Sequence, residues 1–212
     1  TERGKIKVNQ FCIGSCANSS YHDMMKVAAI LKGKTVHPDV SLTISPGSKQ
    51  VLGMLAENGA LADIISAGAR ILECACGPCI GMGQSPESAG VSLRTFNRNF
   101  EGRSGTQDAQ IYLVSPEAAA ASALAGVLTD PRTLGDMPEI AMPAHFPIND
   151  NLIVLPAKNP DEVEVQRGPN IKPFPLGKAL EESYTGKGVL KTEDNITTDH
   201  ILPAGAKLPP HR

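Results

Sequence analysis

Short apolar segments alternate with helix-like segments between residues 6 and 127, and this alternation restricts the fold more than any other feature of the 212-residue chain. The apolar segments predict strands at 6–13, 41–45, 70–73, 91–96 and 110–114. The other segments predict helices at 21–33, 49–57, 60–67 and 115–127. Strands that alternate with helices predict a largely parallel sheet covered on both faces, so we expect a three-layer α/β sandwich.

Local signals mark the ends of the predicted helices. Ser20 followed by Asp23 resembles a capping box, and Gly33 is a typical residue at a helix end. Asn58-Gly59 separates the second helix from the third. Ser115-Pro116 opens the Ala-rich helix, with serine as the cap and proline in the first helical position.

The sequence changes character after Thr129. Prolines recur from residue 130 to about residue 177 and helical periodicity disappears, which predicts an extended linker that covers another surface. Within it, residues 151–155 predict a short strand. Residues 188–191 predict the start of a new element, and the segment after them resembles an unfinished domain.

The composition excludes several classes of protein. A net charge of −2 gives no basis for attraction to nucleic acid or to an anionic membrane, and 4% aromatic residues without tryptophan offer few base-stacking surfaces. No apolar run approaches the length of a transmembrane helix, and the first residues contain no apolar signal core. An odd count of 5 cysteines argues against a secreted disulfide framework, so we expect a cytoplasmic protein.

Cysteines in polar loops carry the strongest functional signal. Cys16 lies in GSCANSS, and Cys76 and Cys79 lie in ACGPC. Both loops follow predicted strands, so we expect them at the carboxyl end of the sheet, where ligands bind in parallel α/β folds. One distant cysteine with a C-x-x-C pair suits a sulfur-loving metal centre that lacks one protein ligand. Cys12 and Cys74 are simpler to interpret as small buried residues near strand ends.

Two other interpretations of these cysteines remain open at this point. C-G-P-C is also the thioredoxin redox motif, but the glycines and proline after Cys79 disfavour the helix that such a pair requires. A structural zinc site needs four ligands, and the chain would have to recruit Cys12, Cys74 or a histidine beside the other thiols.

The ordered motifs GSCANSS, ACGPCIG, TFNRNFEGR, SPE and ITTDHI resemble the aconitase family of iron–sulfur hydro-lyases, and the bacterial-type aconitases in particular. The resemblance covers nearly the whole chain and is closest between residues 12 and 127. It implies an internal segment of a longer polypeptide, with a cluster-binding α/β domain at 1–129, an extended linker at 130–182 and the beginning of a swivelling domain at 183–212.

The resemblance also implies a [4Fe–4S] cluster held by Cys16, Cys76 and Cys79, with a fourth iron that binds substrate and water. Arg98 and Arg103 match residues that hold substrate carboxylates in the family, a role suited to planar bidentate donors. Without the resemblance, this pair would be interpreted as ordinary solvated loop arginines.

Three further site residues are implied by the same resemblance. Asn97 matches a residue of the family's active site, and Asp199 of TTDH matches one that faces it, a possible catalytic residue. Arg212 matches another substrate-binding arginine. The spacing from Asp199 to Arg212 is, however, one residue longer than in mitochondrial-type aconitases, and HR replaces an apolar-Arg pair.

The implied reaction is the isomerisation of citrate to isocitrate through cis-aconitate. The partners expected are a small tri- or dicarboxylate and the remaining aconitase domains. Because the family's catalytic serine and its other acid and base residues lie outside this segment, we expect no turnover from the segment alone.

Related activities are alternatives within and beyond this class. The chain also fits a homoaconitase or the large subunit of 3-isopropylmalate dehydratase. In the latter, the swivelling domain is usually a separate chain with a TDQ-type opening, so TDH in the same chain favours aconitase. A cluster-free relative that binds RNA is the alternative from another class, although no basic patch supports it.

Overall fold

A computed structural model describes residues 5–202 of the chain, without the side chain of Asp199. Arg212, predicted to bind substrate, lies outside the described residues. The described chain forms two compact units, residues 5–148 with 198–202 in one and Asn149–Thr197 in the other. The predicted boundaries at 129 and 182 stay predictions, as does the swivelling domain.

The first unit is built on a five-stranded sheet in which every pair of neighbouring strands is parallel. Its strands are β1 (Gln10–Gly14), β2 (Ser41–Ser45), β3 (Arg70–Ile71), β4 (Val91–Arg94) and β5 (Gln110–Leu113). They are arranged in the order β3-β2-β1-β4-β5. The prediction of an α/β sandwich with a parallel sheet is therefore confirmed.

The strand order reverses between β1 and β4. From β1 the chain adds β2 and β3 on one side, and it then returns to place β4 and β5 on the other side. Cys12 of β1 accordingly pairs with Thr43 of β2 and with Arg94 of β4. Such a reversal opens a crevice outside the carboxyl ends of the two diverging strands, and this crevice is where ligands bind in open α/β sheets.

The helices begin where the cap signals predict. They are α1 (Tyr21–Leu31), α2 (Lys49–Glu57), α3 (Ala60–Ser66), α4 (Pro116–Ala125) and a single turn, α5 (Thr198–Ile201). Ser20 and Asp23 form a complete capping box on α1, and Ser115 caps α4 with Pro116 in the first helical turn. No helix among residues 5–202 is long and apolar enough to cross a membrane.

The two faces of the central strands differ in chemistry. Side chains alternate along a strand, so one face of β1, β2 and β4 presents Phe11, Ile13, Leu42, Ile44 and Leu93. These side chains pack in one apolar core with residues of α1, α2, α3 and α4. The opposite face presents Gln10, Cys12, Thr43, Ser92 and Arg94, all buried, beneath the segment that contains Cys79.

The second unit, Asn149–Thr197, contains no strand and no α-helix, and its one regular element is a 3₁₀ turn at Pro160–Glu162. The strand predicted at 151–155 is therefore wrong, whereas the new segment predicted to begin at 188–191 stays a prediction. Leu152 and Val154 are 77% and 93% exposed. An apolar run forms a strand only where a neighbouring strand pairs with its backbone, and this unit supplies none.

Candidate functional site

Two loops of the first unit border the crevice between β1 and β4. The loop that contains Cys16 follows β1, and the loop that contains Asn97 and Arg98 follows β4. The backbone N–H of Gly14 donates to Thr95 Oγ1 at 2.8 Å, and Asn18 Nδ2 donates to the carbonyl oxygen of Thr95 at 2.5 Å. These hydrogen bonds join the ends of the two strands and hold the loops side by side.

The turn into the Cys16 loop needs an unusual backbone. Gly14 has φ +102°, and a Cβ atom at this position would lie 2.0 Å from the carbonyl oxygen of Ser45. Ser15 and Asn18 also have positive φ values, +73° and +53°. This backbone leaves Cys16 exposed, with its Sγ 4.0 Å from Asn97 Oδ1.

The Cys76–Cys79 loop is a tight turn rather than the start of an α-helix. Pro78–Ile80 forms one 3₁₀ turn, which ends at Gly81 in the left-handed conformation. The thiol of Cys76 donates to the sulfur of Cys79 at 3.5 Å. Cys76 is exposed and Cys79 is buried. The absence of a helix after Cys79 agrees with the sequence and leaves the pair without the helix N-terminus of a thioredoxin-type site.

Arg103 lies against Cys79. Its Nη2 donates to the Cys79 sulfur at 3.2 Å and its Nε donates to the Cys79 carbonyl oxygen at 3.1 Å, while its guanidinium lies 5.2 Å from the centre of the Phe100 ring. The side chain is only 6% exposed. Arg103 is therefore not the solvated loop residue of the simpler interpretation.

The other predicted residues lie at different distances from this centre. Asn97 and Arg98 are exposed on the loop that follows β4. Arg98 has a further interaction within the chain. Asp199 lies in α5, and nothing is described of its side chain. The structure thus brings Cys79 together with Cys76 and Arg103, and Cys16 together with Asn97.

The site also contains a buried arginine that is not among the residues predicted from the motifs. Arg94 is 2% exposed and lies beneath the Cys76–Cys79 loop, where its Nη1 donates to the carbonyl oxygen of Pro78 at 2.8 Å. A charged residue between Leu93 and Thr95 in a buried strand was a visible signal, because charged side chains are almost never fully buried unless they have partners.

Burial raises the pKa of two thiols near the site, those of Cys12 and Cys76. Desolvation raises the pKa of Cys12, although Arg94 and Thr43 act in the opposite direction. The pKa of Cys76 is also raised, by burial first and then by its hydrogen bond with Cys79 and the charge there. Cys16 raises the pKa of Cys76 by a smaller amount, so both of the other predicted ligand thiols act on Cys76.

Cys16, Cys76 and Cys79 are thiol donors of the type that iron–sulfur centres use. Among residues 5–202, Asp199 aside, no three histidine, cysteine or carboxylate side chains are grouped closely enough to hold one metal ion. The structural zinc site is therefore not found in this part of the chain. A polynuclear iron–sulfur centre distributes its thiolates over different irons. The donor type and number of Cys16, Cys76 and Cys79 fit such a centre, and the guanidinium of Arg103 beside Cys79 favours a bound thiolate.

The first unit therefore belongs to the class of α/β proteins with a parallel sheet. Its thiol-rich site lies near the point where the strand order reverses. The model of the aconitase family (aconitate hydratase) matches residues 1–126, more than half of the chain. The chain therefore belongs to the aconitase family, as its motifs predicted.

Curated relatives of this chain carry related names. It is 46% identical to the homoaconitase large subunit of Thermus thermophilus over 133 residues, 62% of this chain and 32% of the relative. It is 44% identical over 131 residues to the 3-isopropylmalate dehydratase large subunit of Caldanaerobacter subterraneus subsp. tengcongensis, 61% of this chain and 31% of the relative. The mitochondrial homoaconitase of Candida parapsilosis is 34% identical over 204 residues, 93% of this chain and 29% of the relative. The chain thus spans about a third of these relatives.

Proposed function

We propose that this chain is the cluster-binding part of a hydro-lyase that adds water to, or removes it from, a small hydroxy acid with two or three carboxylates. The observation that carries the proposal is the contact of Arg103 with Cys79, because a guanidinium is a side chain that can bind a carboxylate, and here it lies beside a thiol. Family membership and the dehydratase names among the relatives support the reaction class.

Among the possible substrates, that of a homoaconitase is favoured over citrate. The motif TDH in the same chain pointed to aconitase, but the relatives described above are homoaconitases and a 3-isopropylmalate dehydratase. The mitochondrial homoaconitase matches 93% of the chain and therefore includes the extended segment, whereas the matches to the two large subunits, that of 3-isopropylmalate dehydratase and that of homoaconitase, cover 61% and 62%. Aconitate hydratase and 3-isopropylmalate dehydratase activities remain the alternatives.

Cys16, Cys76 and Cys79 would hold the [4Fe–4S] cluster. When bound, the cluster supplies an iron without a protein thiolate, which acts as a Lewis acid on the hydroxyl that leaves. The remaining roles belong to side chains of this chain. Arg98 and Arg103 would bind substrate carboxylates through paired N–H donors, and Asn97 would face the substrate next to Cys16.

Other roles fall on parts of the polypeptide that this structure does not describe. We assign Arg212 a further carboxylate contact and Asp199 a place at the edge of the active site. The base that removes the proton next to a carboxylate would come from another domain. Since the chain supplies only part of the machinery, the 212-residue segment alone is expected to show no turnover.

Metal analysis tests the cluster. After anaerobic reconstitution with iron and sulfide, the chain should contain about four irons and give the EPR signal of a cluster when oxidised or reduced. Serine at Cys16, Cys76 or Cys79 should reduce the iron content severely. Cys74→Ser is the matched control, because this half-buried thiol lies next to the same loop and should leave the iron content unchanged. An iron content far below four that Cys16→Ser does not alter would contradict the assignment.

Substrate choice is tested in the complete polypeptide. Hydration and dehydration are measured by the ultraviolet absorbance of the unsaturated acid. Homoaconitate, cis-aconitate and isopropylmaleate are compared in parallel assays. We expect the highest kcat/KM with homoaconitate. A higher value with cis-aconitate would instead establish the aconitate hydratase alternative, and one with isopropylmaleate the dehydratase alternative.

A further inference from the structure

Arg94 connects three separate segments beneath the candidate site. From β4, its guanidinium donates to the carbonyl oxygen of Pro78 at 2.8 Å, to Ser104 Oγ at 3.0 Å and to Gln10 Oε1 at 3.2 Å. Its Nε donates to Ser92 Oγ at 3.0 Å. One side chain therefore ties the Cys76–Cys79 loop to the loop that contains Arg103 and to the central strand β1.

Gln10 and Ser92 complete this arrangement. Ser92 Oγ donates to Gln10 Oε1 at 2.8 Å, and Gln10 Nε2 donates to the carbonyl oxygen of Ser85 at 2.8 Å. Gln10, Ser92, Arg94 and Ser104 are buried, whereas Ser85 lies at the surface. A planar guanidinium with several fixed donors can bond four acceptors in different directions, whereas the ammonium of a lysine is a single point charge.

Arg94 donates only to neutral acceptors. Among the described side chains of residues 5–202, that of Asp199 aside, no carboxylate lies within ion-pair distance of it. Lys26 of the same unit, which is less buried, is by contrast paired with Glu117 at 2.9 Å. A buried charge without an opposite charge is strongly unfavourable. The groups near Arg94 that can become anionic are the thiols of Cys12 and Cys79.

We propose that Arg94 is a positioning residue of the site, which fixes the Cys76–Cys79 loop against the Arg103 loop and places a buried positive charge opposite a thiolate-bound metal centre at Cys79. The charge half of this inference rests on the proposed function, because it requires a bound cluster. The positioning half rests on the hydrogen bonds alone.

Amide hydrogen exchange tests the positioning half in the complete polypeptide without added metal. The amides of Ile80, Gly81 and Met82 donate within the turn that Arg94 supports, to Pro78 and Gly77. We expect Arg94→Gln to accelerate their exchange about tenfold, since hydrogen bonds to a charged group are stronger than those between neutral groups. Arg94→Lys should accelerate exchange similarly, because lysine lacks the planar guanidinium and its several fixed donors.

Arg70→Gln is the matched control. The exposed Arg70 donates to the carbonyl oxygen of Gly83 and to Gln84, just beyond the same turn. It should leave the three amides close to wild-type exchange. Wild-type exchange in both Arg94 variants would overturn the positioning half, and so would equal acceleration by the Arg70 variant. If Arg94→Gln does not fold, exchange in Arg94→Lys and Ser104→Ala tests the positioning half. Each of these variants removes some of the hydrogen bonds of Arg94 but keeps the positive charge.

The reduction potential of the reconstituted cluster tests the charge half. Removal of a nearby positive charge makes the addition of an electron less favourable. Arg94→Gln should therefore shift the midpoint to more negative potential by about a tenfold change in the one-electron equilibrium constant, ~59 mV. Arg94→Lys and Ser104→Ala keep the charge and should move the midpoint by less than half as much.

The outcomes separate this inference from the proposed function. A midpoint in Arg94→Gln equal to that of the wild type would overturn the charge half while the cluster stands. A wild-type protein that takes up no cluster would overturn the proposed function and the charge half together. The exchange rates, measured without metal, decide the positioning half in either case.

Discussion

Arg103 donates to both the sulfur and the carbonyl oxygen of Cys79, at 3.2 Å and 3.1 Å. The residue predicted to hold a substrate carboxylate is thus in contact with the residue predicted to bind iron. A displacement of the Arg103 loop would consequently displace Cys79, so under the proposed function substrate binding would be coupled to the geometry of the metal centre.

The first prediction concerns this arginine. In the complete enzyme, Arg103→Lys should lower kcat/KM by about 10- to 100-fold, because lysine cannot supply two parallel donors and a charge-assisted hydrogen bond contributes about 1.5–3 kcal/mol. Iron content after anaerobic reconstitution should stay near the wild-type value, since the three thiols are intact. Steady-state kinetics with parallel iron analysis measures both quantities.

The control for this variant separates carboxylate binding from support of Cys79. Arg103→Lys with wild-type kcat/KM would show that no substrate carboxylate needs this guanidinium. Iron content that falls in proportion to activity would show that Arg103 acts only through Cys79. Glu101→Gln changes an exposed charge on the same loop and should alter neither quantity.

The second prediction concerns Gly14. Alanine there would place its Cβ 2.0 Å from the carbonyl oxygen of Ser45 at φ +102°. The free energy of unfolding should fall by more than about 3 kcal/mol, the sum of backbone strain and overpacking. Gly33→Ala is the matched control, because Gly33 has φ +68° with no atom within 4 Å of the added carbon. It should lower the free energy by only about 1 kcal/mol. Urea denaturation measures both, and equal losses would show that the contact with Ser45 is relieved by a small shift.

Much of the first unit could be predicted because its signals are local. The capping box of Ser20 and Asp23, the Ser115-Pro116 start and the apolar strands each depend on residues close in the chain. Such signals act through short-range hydrogen bonds and side-chain periodicity. Because these signals are local, both the helix starts and the parallel sheet could be predicted correctly.

The features that the sequence missed depend on residues far apart in the chain. Arg103 is buried by the Cys79 segment, 24 positions earlier, and its own loop carries no sign of that contact. The sequence shows Arg94 as a charged residue in an apolar strand, but its position opposite Cys12 depends on the register of β1 and β4. The strand predicted at 151–155 failed for the same reason, because pairing with a partner strand is not encoded within the run itself.

The third prediction tests the capping box. Ser20 Oγ accepts from the backbone N–H of Asp23, and the Asp23 carboxylate accepts from the backbone N–H of Ser20. Ser20→Ala should lower the free energy of unfolding by about 1 kcal/mol, whereas Ser20→Gly should lower it by only a few tenths. The urea midpoint should shift without a change in the slope of the transition. Identical midpoints for the alanine and glycine variants would argue against a capping contribution.

The fourth prediction is a pH dependence of the contact between α1 and α4. Burial alone would raise the pKa of Glu117, but the hydrogen bonds from Lys26, the backbone and Ser115 outweigh it. The net effect is a lowered pKa. Because the pKa is lower in the folded state, the Glu117 carboxylate stabilises the fold at pH values above the unfolded pKa of about 4.3. This contribution is lost as the pH falls through the folded pKa. Glu117→Gln should therefore lower the free energy of unfolding by about 1 kcal/mol at pH 7, with the difference from wild type shrinking between about pH 5 and 3. Urea denaturation across this range checks the effect against Glu57→Gln, an exposed control on α2. A difference that does not change with pH would show that the carboxylate charge of Glu117 is not what Lys26 stabilises.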